Sequence, residues 1–304
     1  MMTFFQIDFP ALLTGTLAAV TCALVGNFLV LTRQRMLGDA MGHVVLPGIV
    51  IAFVIAGTTA TWVMLGGAFA AALVSAMLVE FLRRIASVDP SAALGAVFTA
   101  MFALGVLLLE QTGIARTSFD VHHILFGNIE AAIWPAATGF QSLFDVAALR
   151  ELPPEVFRLA GGLIVIALVI GILFKELRLT SFDPVFASTI GVPPRVFGAI
   201  VVSLSALAAV VSLSSVGVIL LVAMMVCPPA AARMLTDDLR TQVLLSVVFA
   251  LLSGISGYAA AVLLPQLFGQ DISLGAAGTI AVVAGLIQLC AMLFGAKRGS
   301  PRVA

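Results

Sequence analysis

The sequence has very little charge. Only 10% of its 304 residues are aspartate, glutamate, lysine or arginine, whereas 62% are hydrophobic. An ordinary soluble domain carries about 25% charged residues, and a chain of this size cannot hide so much apolar surface from water. A lipid bilayer, by contrast, solvates such a surface directly. The composition therefore excludes a soluble protein and predicts a membrane protein with many spans.

Other absences narrow the function. The three cysteines, Cys22, Cys227 and Cys290, all lie in apolar runs without CxxC spacing, so we interpret them as small hydrophobic residues. The net charge of zero gives no sign of nucleic-acid binding. The G-x-x-x-x-G-K-[ST] nucleotide-binding motif, a serine nucleophile elbow and HExxH are all missing. We therefore predict that the chain is not an enzyme and that any ATP hydrolysis belongs to another chain.

Apolar runs of about 20 residues, the length that crosses a bilayer as a helix, recur along the whole chain. We predict an all-α polytopic protein with about nine transmembrane helices, at 10–32, 40–58, 61–82, 91–110, 156–174, 196–213, 215–232, 241–263 and 274–295. Eight is the alternative count, because the runs at 196–213 and 215–232 share a tight SLSSVG turn. The first run is interpreted as a retained span, since no cationic region precedes it and no small-residue cleavage site follows it.

The basic residues predict the orientation. If the spans alternate, 12 of the 15 lysines and arginines fall on one side of the membrane. These twelve are Arg33, Arg35, Arg83, Arg84, Lys175, Arg178, Arg195, Arg233, Arg240, Lys297, Arg298 and Arg302. The other three are Arg116, Arg150 and Arg158. The positive-inside rule then places the N-terminus outside and the C-terminus in the cytoplasm.

Two connections are long enough to hold structure of their own, one external at about 111–155 and one cytoplasmic at about 175–197. In the second, SFDP is typical of a helix start, with Ser181 or Asp183 near the N-cap and Pro184 in the first turn. The sequence IGVPP ends that helix at Gly191, because the following prolines cannot continue it. We predict a short cytoplasmic helix within 181–195.

The stretch MLGDAMGHVVLPG, residues 36–48, contains Asp39 and His43, which share one face of a helix. An aspartate toward the bilayer centre costs about 2.5–3.5 kcal/mol, so such a residue is a functional candidate. Carboxylate and imidazole are ligands for Zn²⁺, Mn²⁺ or Fe²⁺. Alternatively, Asp39 pairs with Arg33 or Arg35 and His43 caps a neighbouring helix. The residues alone leave both interpretations open.

Two further features lie near these candidates or outside the membrane. Pro47 removes a backbone hydrogen bond to residue 43, so we expect Pro47 and Gly48 to loosen the helix and open space beside it. His122 and His123 are adjacent in the external connection. Neighbouring side chains in an extended strand cannot point the same way, so this pair favours a surface or docking role over metal binding.

Four stretches in order resemble the metal-ion ABC permeases, the ABC-3 family, which moves zinc, manganese or ferrous iron. They are LVGNFLVLTRQRMLGDAMGHVVLPGIVIAF (24–53), HHILFGNI (122–129), ELRLTSFDPVFASTIGVP (176–193) and SSVGVILLVAMMVCPPAAARML (214–235). The resemblance covers nearly the whole chain. It implies a single transmembrane permease domain over 1–304 in the cytoplasmic (inner) membrane of a bacterium.

The resemblance also implies partners and residue roles. Two cytoplasmic ABC ATPase subunits would dock below and an extracytoplasmic metal-binding protein above, and the permease would pair with a second copy or a related permease. Asp39 and His43 would handle the ion transiently, with Pro47 and Gly48 shaping the pathway. The residues implied to contact the ATPase are Phe182, Asp183, Pro184 and Gly191. No tightly bound cofactor is implied, because the divalent metal is the cargo.

The chain departs from the family pattern after LFGN, where about 25 additional residues, EAAIWPAATGFQSLFDVAALRELPP, precede the next span. The alternatives are a permease for chelated iron or a corrinoid, and a self-sufficient secondary metal transporter. The first needs no ligand-type side chains, and the second would carry several intramembrane acids. The sequence does not decide which metal is carried.

Overall fold

The computed structural model of the chain describes residues 4–32, 36–58, 61–86, 89–111, 127, 129–137, 139–143, 145–267 and 274–295. These residues form helices and turns, without a strand among them. The α-helices are α1 (Phe9–Leu31), α2 (Met36–Ala56), α3 (Thr61–Ala86), α4 (Pro90–Gln111), α5 (Val146–Arg150), α6 (Pro154–Ile172), α7 (Phe174–Phe182), α8 (Pro184–Thr189), α9 (Pro194–Leu235), α10 (Leu239–Leu267) and α11 (Ala276–Phe294). A π-helical turn, Phe4–Asp8, precedes α1, and the 3-10 turns Ile129–Ala131 and Phe140–Leu143 precede α5.

The apolar runs fold as helices because a bilayer offers no water to backbone N–H and C=O groups, which must bond within the segment. Within the described ranges, eight helical segments are long and apolar enough to span a membrane, and the apolar part of α2, Gly42–Ala56, is shorter. In chain order these segments correspond to the nine predicted spans. An all-α membrane protein with eight or nine spans is thereby confirmed, while its orientation stays a prediction. We call the end of the bundle where α1 begins the outer end, following that prediction.

Helix α1 is the central element of the protomer. Most of its residues are buried and the rest are partly buried, and it packs against α6, α9 and α10. Small residues allow this close packing. A Cβ atom on Gly26, for example, would overlap the carbonyl oxygen of Met225 and lie 2.9 Å from Cγ of Pro229. The N-terminal end of α1 therefore lies over the middle of the protomer rather than on its flank.

Helix α9 is broken at Gly217, whose φ of +73° and ψ of 173° are not helical. Its first arm, Pro194–Leu213, and its second arm, Ser215–Leu235, are separate apolar spans. The guanidinium of Arg233, near the end of the second arm, lies 5.4 Å from the ring centroid of Phe182, shortly before the first arm begins. The second arm thus returns to the inner end, and a residue that tolerates positive φ stands at the reversal.

The structure differs from the sequence-based expectation in the inner connection. It contains a second helix, α7, which we did not predict, between the end of α6 and α8. Leu177 of α7 is fully buried in the main core, so this charged segment is held against the bundle. The predicted short helix follows as α8, within the expected range 181–195.

Candidate functional site

Helix α2 carries both candidate ligands of the sequence analysis. It runs from Met36 to Ala56, so Asp39 and His43 lie one turn apart on the same face of a continuous helix. The side chain of Asp39 lies outside the described part of the structure, as do Arg33 and Arg35. The alternative pairing of Asp39 with one of these arginines is therefore neither supported nor contradicted.

The imidazole of His43 faces α4. It makes edge contacts with two aromatic rings, Phe98 at 4.9 Å and Phe102 at 5.3 Å between centroids. Such contacts prefer a defined ring orientation, so they restrict how the imidazole can turn. The side chain is partly exposed, so part of the imidazole remains accessible. An accessible imidazole whose orientation is restricted needs little reorganisation to meet an ion.

A crevice between α2, α3 and α4 is lined in part by Phe98, one of the two rings that contact His43. It is lined by apolar side chains apart from one serine, and the lining residues are Ala40, Val44, Ser75, Ala76, Val79, Leu94, Val97 and Phe98. The hydroxyl of Ser75 donates to the carbonyl oxygen of Ala71 at 2.8 Å, one turn back in its own helix. The residues that line this crevice therefore include no carboxylate or imidazole.

Pro47 and Gly48 lie in a continuous and closely packed part of α2, and their role in shaping the pathway stays a prediction. Helix α2 continues through Pro47. A Cβ atom on Gly48 would overlap the carbonyl oxygen of Gly67 in α3 and lie 2.6 Å from Cβ of Ala71. One on Gly105 of α4 would lie 2.9 Å from Cδ of Pro47. Small residues at this position let α2, α3 and α4 pack closely together. The packing holds α2 between the other two helices about one turn beyond His43.

The break in α9 packs against the same helix. A Cβ on Gly42 would lie 3.0 Å from Cγ1 of Val218, the residue after the break. From the outer side, a Cβ on Gly127 would lie 2.6 Å from the carbonyl oxygen of Val216 and 2.7 Å from the amide nitrogen of Gly217. Broken backbone is tolerated within a membrane only where protein or a cavity surrounds it. Here protein surrounds the break. Its contact with α2 is made at Gly42, the residue before His43.

The inner end presents the segment predicted to couple to an ATPase. The carboxylate of Asp183 accepts a hydrogen bond from the backbone N–H of Phe186 at 2.9 Å, which caps α8, and Pro184 is its first residue. The helix ends at Gly191, with φ of +85°, where the N–H of Val192 donates to the carbonyl of Ala187 at 2.9 Å. This is a Schellman ending. The predicted start and end of the helix are confirmed.

Polar residues buried near the inner end connect α1, α10 and α9. The side-chain amide of Asn27 donates to the hydroxyl of Ser246 at 2.6 Å and accepts from Gln242 at 3.2 Å. All three side chains are fully buried. Arg233 reaches this group by a 3.5 Å contact with Oε1 of Gln242 and also lies over Phe182. A connected set of side-chain contacts therefore runs from Asn27 of α1 to Phe182, the residue before Asp183.

A charged contact holds α7 against the start of α10. Asp238 accepts hydrogen bonds from the backbone N–H and the hydroxyl of Thr241, each at 3.1 Å, and lies 3.6 Å from Arg178. The backbone hydrogen bond from Thr241 is the main reason that the pKa of Asp238 is lowered, with Arg178 contributing. Because both side chains are largely exposed, this pair positions the helices more than it stabilises them.

The profile of the ABC 3 transport family matches residues 4–133 and 145–295. The chain belongs to the ABC 3 transport family. It is 37% identical over 287 residues to the manganese transport system membrane protein MntD of Bacillus subtilis, covering 94% of this chain and 91% of that protein. It is 31% identical to the zinc transport system membrane protein TroC of Treponema pallidum, covering 91% and 85%. The solved structure PsaBC from Streptococcus pneumoniae in complex with Fab aligns with a TM-score of 0.75 and 28% identity, covering 95% of this chain and 92% of that chain.

Membership of the ABC 3 family makes this chain a transport subunit with multiple spans, as the sequence predicted. Within the described residues, no group of three or more histidine, cysteine, aspartate or glutamate side chains is placed to hold a metal. His122 and His123 lie outside the described residues, so their predicted external role stays a prediction.

Sequence reasoning missed the group formed by Asn27, Gln242 and Ser246. Asn27 and Gln242 were visible as polar residues within apolar runs, which is a signal for an interhelical contact. Their partnership across 215 residues of sequence was not visible.

Proposed function

We propose that this chain is the permease subunit of an importer for a divalent transition-metal ion, in the cytoplasmic membrane of a bacterium. Separate ATPase subunits would drive it. Relatives named for manganese and zinc support this class of cargo. The observation that carries the proposal is α2, which has Asp39 and His43 one turn apart and is packed between α3, α4 and the break in α9. Ferrous iron uses the same ligand types and stays a candidate.

The two side chains would coordinate the ion only in part. A carboxylate and an imidazole supply two ligands, whereas a resident structural zinc site uses four. Water would complete the coordination, so the ion could be exchanged rapidly. His43 has little freedom to follow a passing ion, because Phe98 and Phe102 hold its ring at the edges. Brief coordination at a fixed point suits a transport path, since tight binding would stall release.

The ATPase would contact the inner end through α8. Exposed apolar side chains on and after this helix include Val185, Phe186 and Ile190, which are 74%, 52% and 54% exposed. They lie at the inner end of the bundle, the side on which most of the basic residues are predicted to lie. This position is outside the membrane-spanning segments. An exposed apolar cluster of this kind marks an interaction surface. The capped start and the Schellman ending keep the short helix in one conformation.

Movement of α8 would reach the membrane core through Phe182. This residue joins α7 to the cap of α8 and lies under the guanidinium of Arg233. Arg233 lies near the end of the second arm of α9 and contacts Gln242, which donates a hydrogen bond to Asn27 of α1. The other end of that arm packs against α2 at Gly42. In our proposal this connected set of contacts lets ATP-driven closure switch the path between outward and inward access.

A second permease chain, identical or related, would complete the path. One chain offers a single Asp39 and His43 pair, and two chains would place two pairs about a shared axis. Cross-linking in native membranes, with differently tagged copies of this chain, distinguishes the two cases. Recovery of both tags in one complex supports a homodimer.

Uptake of radioactive manganese, zinc and ferrous iron tests the function. The measurement uses a bacterial strain that lacks this gene, with and without the gene restored on a plasmid. We expect restoration of the gene to increase uptake of at least one of these ions. An excess of the same unlabelled metal should reduce uptake of the labelled ion. Restored uptake of a ferric chelate or a corrinoid, with no change for the free ions, would contradict the proposal.

Substitutions then test the candidate ligands. Asp39→Ala and His43→Ala should abolish uptake while the complex with the ATPase still assembles, as measured by co-purification. Ile55→Ala is the control on the same helix, because Ile55 is 80% exposed and should face lipid. Normal uptake by both ligand variants would show that α2 does not handle the ion.

A further inference from the structure

The segment that interrupts the family match has a core of its own. The family profile skips residues 134–144. In the structure Phe5, Trp134, Ala137 and Ala148 form a buried cluster separate from the main core. We call the described residues 129–137, 139–143 and 145–152 the outer cap. A dedicated core shows that the additional residues fold into a defined element.

The outer cap is fastened to the start of α1 through Trp134. This side chain is fully buried, and its Nε1 donates to the carbonyl oxygen of Ala148 at 2.8 Å. Its backbone N–H donates to the carbonyl of Gln6 at 2.8 Å, and the amide of Gln6 donates to the carbonyl of Ala137 at 3.1 Å. These bonds pair the cap with the N-terminal turn, so the cap is held in one position.

A second attachment joins the cap to α11. The carboxylate of Glu130 accepts a hydrogen bond from the backbone N–H of Ala276, the first residue of α11, at 3.0 Å. The cap ends where α6 begins, at Pro154. It therefore lies across the outer ends of α1, α6 and α11, over the middle of the protomer.

The surface of the cap is apolar where it faces outward. Phe140 is 74% exposed and Ile133 is 54% exposed, and Phe4 of the adjoining N-terminal turn is 47% exposed. The ring of Phe140 contacts that of Phe5, with centroids 5.2 Å apart, and Phe5 contacts Phe4 at 5.5 Å. The exposed rings are thus an outward continuation of the buried cluster. Apolar groups held rigidly on a surface mark an interaction site.

Lipid is the less fitting partner for this surface. The central position of α1 puts the cap over the end of the bundle, whereas lipid tails contact its flank. The cap also has a net negative charge, because it contains Glu130, Asp145 and Glu151, with Arg150 as its one basic residue. A partner arriving from the aqueous side with an apolar patch and basic residues around it would match this pattern.

We propose that the outer cap is the recognition surface for the extracytoplasmic metal-binding protein that delivers the ion. The inference rests on the proposed function, because only an importer needs such a partner. Since residues 134–144 lie outside the family pattern, the cap makes this permease selective for its own binding protein. Phe140 and Ile133 are the apolar anchors, and the carboxylates steer the approach.

Binding of the purified metal-binding protein encoded with the transporter, loaded with manganese, tests the inference. The permease–ATPase complex is held in lipid nanodiscs, and Kd is measured by biolayer interferometry. Phe140→Ala combined with Ile133→Ala should raise Kd about tenfold or more, as loss of apolar anchors does at interfaces. ATPase activity without the binding protein should stay unchanged. Phe294→Ala is the matched control, because Phe294 is 84% exposed at the opposite end of the bundle.

Two outcomes would overturn the inference. One is a Kd for the double variant equal to that of Phe294→Ala, while the wild type still transports metal; the proposed function would then stand without the cap. If the wild type transports no divalent metal, the proposed function itself fails. The other is quenching by spin-labelled lipid, but not by aqueous iodide, of a fluorophore on Phe140→Cys in a background with Cys227→Ser and Cys290→Ser. That result would assign the cap to the membrane.

Discussion

The contact between α2 and α3 allows a test in which two neighbouring glycines should respond in opposite ways. A Cβ atom on Gly67 would overlap both Cβ of Ala52 and the carbonyl oxygen of Gly48. A Cβ on Gly66 would meet nothing within 4 Å. Gly67→Ala and Gly66→Ala therefore add the same methyl group to the same helix, in a closed and an open environment.

The magnitude follows from two effects. Replacing glycine by alanine within a helix favours folding by up to about 1 kcal/mol, and this gain applies equally at both positions. At Gly67, relief of the overlap requires α2 and α3 to separate by about 1 Å, and overpacking of this kind costs about 1–3 kcal/mol. We expect Gly67→Ala to be less stable than Gly66→Ala by about 1–3 kcal/mol, with the propensity gain cancelling in the comparison.

Thermal unfolding in detergent, followed by tryptophan fluorescence and by loss of the monodisperse peak in gel filtration, measures the difference. Metal uptake provides a second measurement. Because Gly48 lies little more than one turn after His43, separation of the helices at this point should displace the candidate ligands and reduce uptake in Gly67→Ala alone. Equal midpoints and equal uptake for the two variants would refute the packing of α2 on α3 through Gly48 and Gly67.

Four further substitutions test the inner end and the outer cap. Gly191→Ala places a side chain at φ of +85°, a strain of about 1 kcal/mol, and should reduce ATPase co-purification, whereas Gly198→Ala, in open space, should not. Asp183→Ala removes the cap of α8, worth about 1 kcal/mol, and should lower metal-stimulated ATP hydrolysis without altering binding-protein affinity. Arg233→Gln should uncouple hydrolysis from uptake while the complex stays assembled; tight coupling in this variant would exclude the proposed route. Trp134→Phe leaves a buried carbonyl without its donor, so the thermal midpoint should fall, by the equivalent of about 1–3 kcal/mol.

The coupling segment could be predicted in detail because its signals are local. Asp183 and Pro184 begin α8 and Gly191 ends it, and each acts on backbone groups within a few residues. Helix α7 was missed because its charged residues are typical of a connection. Leu177 is its buried residue in the core, with Phe174 packed partly buried beside it, and the burial of two such residues depends on what lies opposite.

Pro47 shows where a local rule was insufficient. The loss of its N–H predicts a loosened helix. In the structure the helix runs on, because Gly105 and Gly67 let α4 and α3 approach closely enough to support it from two sides. Neither glycine is near Pro47 in sequence, so the sequence rule could not include them.

Hydropathy, charge asymmetry and helix caps could be predicted from the sequence, because each depends on solvent or on residues a few positions away. They were enough for the membrane location, the order of the spans, the short inner helix and the candidate pair on α2. The folded chain alone decided which helix faces meet: Gly48 on Gly67, the reversal of α9 at Gly217, and the bond between Gln6 and Ala137 across 131 residues. Such contacts depend on the complete path of the backbone, and in a bundle of similar apolar helices many alternative pairings satisfy the same hydrophobic pattern.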